Sequence, residues 1–148
     1  MGEATEIPEG FKALPRHNSP FLSSVGPLFV KGEGSGAVIA MRIEHKHTNT
    51  RGVAHGGMLM TLADSALGIV LRMSQPNPSP MVTVSLTADF ADAARVGDWV
   101  EVRVDVQKIG KRLAFANCQL WVGEKRILRA SGIFARVAPT QGEGPFEG

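Results

Sequence analysis

Only one cysteine occurs in the 148-residue chain, Cys118, so neither a disulfide framework nor a cysteine-based zinc site can form within it. A free cysteine is usually a small buried hydrophobe, and Cys118 lies in an alternating stretch that suits that role. Runs of Lys or Arg are lacking too. The formal net charge is only +2, and with no basic stripe beside it this excess does not point to nucleic acid. The opening MGEATEIPEG is acidic and lacks the charged-then-apolar order of a secretory signal, and Glu6 stands where a myristoylation signal needs Ser or Thr. The longest apolar run, residues 58–73, is interrupted by Asp64 and Arg72 and is short for a membrane span. No internal repeat is present. These absences leave a cytoplasmic enzyme or binding protein as the expectation, with no membrane and no nucleic acid among its partners.

What is present is ordinary for a soluble domain: 43% hydrophobic and 20% charged residues in a chain long enough to bury one core. Residues 1–26 carry Pro8, Pro15 and Pro20 and read as an N-terminal arm with a short helix around PFLSS. Residues 139–148, PTQGEGPFEG, read as a disordered tail. The domain proper is expected over 27–138.

Within it, strands are expected at 27–31 and 36–44, and a long helix from Gly57 to about Ser74, closed by PNPSP. After Pro80 the pattern switches to period two. In MVTVSLTADF the alternation places Val82, Val84, Leu86, Ala88 and Phe90 on one face, with Thr83, Ser85, Thr87 and Asp89 on the other. WVEVRVDVQ alternates in the same way, and two further strands follow at 113–122 and 127–137, with Gly110 and Gly123 marking tight turns. Short turns make these strands antiparallel. One helix against one antiparallel sheet of five to six strands is an α+β arrangement.

The helix holds an unusual polar stripe: Thr61, Asp64, Ser65, Gly68 and Arg72 recur at helical spacing in an otherwise apolar segment. A carboxylate in such surroundings loses hydration unless it is paired, protonated or wet. The stripe is either the solvent face of the helix or the lining of a crevice or subunit interface, and pattern alone leaves both open. Just upstream, Gly56 and Gly57 open the helix, where the first N–H groups lack intrahelical partners and favour developing negative charge. Asn49 adds an amide, and His55 is either a turn residue bonded to backbone or a group that meets a substrate carbonyl. His45 and His47 flank Lys46 with no carboxylate or cysteine at matching spacing, which argues against a metal site.

Asn49, then His55-Gly56-Gly57, then Asp64 nine positions after the histidine, within a TLADSALG stretch, resembles the PaaI-like, Them2-type acyl-CoA thioesterases of the hotdog-fold superfamily. The resemblance runs from about residue 36 to 137 and includes KIGKRLAF. It implies a long central helix wrapped by a curved antiparallel sheet, and a homodimer that pairs again as a dimer of dimers, with sites across the subunit interface. Asn49 and the Gly57 N–H would polarise the thioester carbonyl, with Gly56 beside them. Asp64 of the neighbouring subunit would act as general base on water or attack directly, and Thr83 would help place the water. No metal and no redox cofactor is implied, CoA being part of the substrate. Lys108, Lys111 and Arg112 are either a charged hairpin tip or, as the resemblance favours, a CoA-phosphate site, with Arg95 a further candidate. Two other readings fit parts of the pattern: a hotdog enoyl-CoA hydratase or dehydratase using His55 and Asp64, and a non-catalytic acyl-CoA-binding module.

Overall fold

The apolar segment free of proline folds as one helix, α2 (Gly56–Met73), whose Leu62, Leu67, Ile69, Val70 and Leu71 are fully buried. At about 1.5–3 kcal/mol for each such side chain, this helix is the centre of the core. The computed structural model describes residues 6–15 and 19–138, so the tail at 139–148 lies outside the described residues.

Seven strands wrap the helix in a single antiparallel sheet. They are β1 (Lys12–Ala13), β2 (Phe29–Lys31), β3 (Val38–Arg42), β4 (Met81–Phe90), β5 (Trp99–Ile109), β6 (Leu113–Val122) and β7 (Lys125–Arg136). A six-residue helix, α1 (Pro20–Val25), stands between β1 and β2, and its Leu22 joins the core. The spatial order β1-β2-β3-β5-β6-β7-β4 puts β4, the strand that follows α2, at one edge. The helix passes close over β7 at Gly132, where an added Cβ would lie 2.9 Å from Leu67 Cδ1 and 2.9 Å from Phe134 Cε1.

Two expectations change. The sheet has seven strands instead of five to six, because β1 is two residues long and leaves no alternation to read. It pairs with β2, and nearby Phe11 packs edge-on to Trp99 at 5.2 Å, so residues 11–13 of the expected arm are held to the sheet. The second change concerns β4. Its register against β7 shifts between Thr83 and Ser85, leaving Val84 as an extra residue. Such a bulge reverses the parity of everything before it. Thr83 therefore stands opposite inward-facing Phe134, on the helix side, and Val82 stands opposite Ala135 on the outer side. The single apolar face expected from Val82 to Phe90 is broken at Val84.

Cys118 is buried on β6, and burial pushes its thiol from 9.0 up to about 12. The raised value means the folded protein keeps the proton where the unfolded chain has lost it, so stability falls as pH rises from about 9 towards 12. At pH 8 the native protein is expected to leave Cys118 unmodified by a thiol reagent such as Ellman's, with one equivalent reacting once denaturant is added. Fast labelling of the native chain would contradict this burial.

Candidate active site

The polar stripe on α2 is no solvent face. Ser65, Gly68 and Arg72 are buried, and only Thr61 and Asp64 are half-buried. Thr61 spends its hydroxyl on the helix itself, donating to the Gly57 carbonyl at 2.9 Å. Asp64 is left as the one carboxylate on the stripe, and the β4 bulge supplies its partner: the Thr83 hydroxyl donates to Asp64 Oδ1 at 2.7 Å. The second carboxylate oxygen takes no protein donor among the described residues, and the Thr83 oxygen retains lone pairs. Together they present one unbonded carboxylate oxygen beside one hydroxyl, a pair with the capacity to bond a water.

At the start of α2, His55 is the N-cap. Its Nδ1 accepts the Gly57 N–H at 2.8 Å, which fixes the ring's backbone-bonded role in the free protein. The N–H at this helix end is thus engaged by an exposed ring. An added Cβ on Gly57 would lie 3.0 Å from that Nδ1 and 3.1 Å from Cε1, so the ring can close on the N–H this tightly because residue 57 is glycine. Gly56 faces Phe90, whose ring would lie 3.4 Å from an added Cβ.

Asn49 builds the loop that leads here. Its Oδ1 accepts the Arg51 N–H at 2.9 Å and the Val53 N–H at 3.4 Å, while its backbone N–H donates to the Val53 carbonyl at 2.9 Å. That use of the side-chain oxygen leaves the amide NH2 as its free end. Arg95 flanks the same loop through a bridge to Val53, and its backbone N–H donates to Asp98 at 2.8 Å.

Lys108, Lys111 and Arg112 are exposed around the β5–β6 turn. Arg136 ties that turn to the beginning of β4: its Nη1 donates to Ser79 Oγ at 2.9 Å, its Nε to the Gly110 carbonyl at 3.3 Å, and its N–H to the Arg112 carbonyl at 2.9 Å. Gly56, by contrast, meets Phe90 at the far end of β4. Ten residues of strand, about 30 Å, separate the two ends. One chain therefore joins Asp64 to Thr83 and Gly57 to His55, but holds its basic turn at the other end of β4 from Gly57.

Two residues next to the site carry no sequence signal for the part they play. Lys46 and His47 hold α1 in place, and their bonds run to backbone carbonyls that no spacing pattern reveals. The Ser19-Pro20 pair, an N-cap followed by proline at the first helical position, is the local signal for α1 itself. Among the described residues no three His, Cys, Asp or Glu side chains cluster as metal ligands would.

The Thioesterase superfamily profile matches residues 51–128, a segment that includes His55, Gly57, Asp64, Thr83 and the basic turn. A candidate esterase of Pseudomonas aeruginosa is 49% identical over 129 residues, spanning 86% of this chain and 96% of its own length. Acyl-coenzyme A thioesterase 13 of Homo sapiens is 30% identical over 113 residues, spanning 76% of this chain and 79% of its own. Among solved structures, thioesterase superfamily member 2 of zebra fish superposes with a TM-score of 0.72 at 28% identity, covering 81% of this chain and 89% of that one. The E. coli PaaI protein from the phenylacetic acid degradation operon superposes at 0.73 with 22% identity, covering 83% and 88%, and so speaks to the fold alone.

Proposed function

The chain belongs to the Thioesterase superfamily as a PaaI-like hotdog thioester hydrolase, and from that premise we propose that it hydrolyses acyl-CoA thioesters with Asp64 as the general base. The observation that carries the assignment of the base is the 2.7 Å bond from Thr83 to Asp64. It orients one carboxylate oxygen and leaves the other for a water that Thr83 also steadies. Asp64 takes a proton as the water oxygen attacks the thioester carbon. The tetrahedral oxyanion is held by the Gly57 N–H, with the Asn49 amide as a second donor. Collapse expels the CoA thiolate, which recovers the proton from Asp64, and the free acid departs.

His55 acts as a placeholder in this reading. Its ring satisfies the Gly57 N–H until a carbonyl oxygen replaces Nδ1, so the exchange trades one hydrogen bond for another. The CoA phosphates are assigned to Lys108, Lys111 and Arg112, with Arg95 near the Asn49 loop, because fully charged side chains at an exposed turn suit an anionic ligand.

The helix geometry supports a site shared between chains. Gly57 and Asp64 are seven residues apart, about 10 Å along the axis, and the helix-terminal N–H points away from Asp64. A carbonyl held by one chain's Gly57 is out of reach of that chain's own carboxylate. A homodimer in which two helices lie antiparallel brings them together, and a dimer of dimers repeats the arrangement.

Thiol release across acetyl-, hexanoyl-, benzoyl- and palmitoyl-CoA tests the activity, with hydration of an enoyl-CoA measured beside it. Release from at least one of the four is expected. Hydration without release, or tight binding with no turnover, would replace the hydrolase reading by a hydratase or a binding module.

A further inference from the structure

Beside the Gly57 N–H lies an open cavity of about 310 Å³ whose lining includes Phe21, Lys46, His55, Gly57, Met58 and Thr61. Phe21 is the unexpected member. It comes from α1, outside the segment that matches the superfamily, and is 57% exposed although Leu22 beside it is buried. A large apolar side chain left in water contributes little to folding, yet α1 is fastened so as to hold it there. The Lys46 ammonium donates to the Ser24 carbonyl at 3.1 Å and to the Gly26 carbonyl at 3.2 Å. The buried His47 ring accepts the Glu44 N–H on Nδ1 at 2.8 Å, which places its proton on Nε2, and that Nε2 donates to the Val25 carbonyl at 2.7 Å. The His47 carbonyl in turn accepts the His55 N–H at 2.8 Å, so one chain of bonds links α1 to the first turn of α2.

We propose that Phe21, held over this cavity by Lys46 and His47, is the wall of the acyl-binding space and selects acyl groups with a compact apolar body over acetyl. The inference rests on the thioester carbonyl sitting at the Gly57 N–H. Such a carbonyl has two substituents, and one of them must enter the cavity. The sulfur side continues as the amide-bearing arm of CoA, whose polar groups would be stripped of water against a phenyl ring. The acyl side is apolar and matches it. Phe21 supplies a ring for face or edge packing, and the Met58 thioether supplies an adaptable surface that contacts aromatic groups well. Lys46 and His47 are positioning residues here, acting through α1.

The test compares wild type, Phe21→Ala and Phe21→Leu in kcat/KM for benzoyl-CoA and acetyl-CoA, and in the Kd for benzoyl-CoA measured by calorimetry in an Asp64→Asn background. The benzoyl-to-acetyl preference is expected to fall about 10-fold in Phe21→Ala, the size of discrimination that apolar pocket contacts supply. The change should appear in KM more than in kcat, with Phe21→Leu recovering most of it and the Kd weakening in parallel. An unmoved preference and Kd in folded Phe21→Ala overturn the proposal, as does a fall in assembly mass with selectivity intact. If no acyl-CoA is hydrolysed but the benzoyl-CoA Kd still responds to Phe21, the hydrolase reading fails and the wall stands.

Discussion

Asp64→Asn is expected to lower kcat for acyl-CoA hydrolysis by at least about 10²-fold, the lower range for loss of a general base, with KM little changed. The substitution keeps the side chain's shape. An asparagine oxygen still accepts the Thr83 hydroxyl that now lies 2.7 Å from Oδ1, so the corner between α2 and β4 stays assembled. What disappears is the group that accepts the proton from water. Because the loss is confined to a proton-transfer step, substrate binding and the folded state should persist, and circular dichroism should superpose on wild type. Thr83→Val is the companion measurement. It keeps the branched shape and removes the donor, and a hydrogen bond to a charged group worth about 1.5–3 kcal/mol corresponds to roughly 10- to 150-fold in rate. Near-normal hydrolysis by a folded Asp64→Asn protein would remove Asp64 from the mechanism, and with it the reason for Thr83.

Asp64 was legible in the sequence for a simple reason: a lone acid among Leu, Ala and Ile stands out whatever the fold. The helix was legible because its segment is free of proline and PNPSP ends it, and β5, β6 and β7 because their alternation is unbroken or nearly so. Thr83 shows where that kind of reading stops. Strict alternation sends it to the face opposite Leu86 and Ala88, away from α2. The bulge at Val84 turns it inward, and a one-residue slip of register leaves no mark in composition or period. The resemblance to a family singled out Thr83, which lies 2.7 Å from Asp64, while the alternation sent it to the other face. His55 was legible in part: the backbone-bonded alternative is the one found, but Ser, Thr, Asp and Asn are the usual N-caps, and nothing in HGG says which N–H the ring will take.

The bulge also bears on assembly, where the second large effect is expected: Val84→Lys should yield a smaller species in solution and lose at least about 10²-fold in thiol release, comparable to removing an oxyanion donor. β4 has a hydrogen-bonded neighbour on one side only, β7, and runs for ten residues. Val82, Val84 and Phe90 on it are 47%, 58% and 53% exposed. A long apolar edge strand invites pairing with another chain, and β4 carries no proline within its span to prevent it. Two-fold pairing of such edges is antiparallel. Such a pair would set the start of one β4, with the basic turn tied to Ser79 and Gly110, beside the end of the other, where Phe90 meets Gly56. In the proposed dimer the same operation would carry one Asp64 towards the other chain's Gly57, closing the roughly 10 Å separation that a single helix imposes. A lysine at exposed Val84 would add a like charge from each chain to the paired edges, while the core residues of each chain stay untouched. Analytical ultracentrifugation beside a thiol-release assay reads both effects. A monomeric Val84→Lys protein that hydrolyses as fast as wild type would show that one chain carries a complete site, and the partition of Gly57 and Asp64 between two subunits would have to be abandoned.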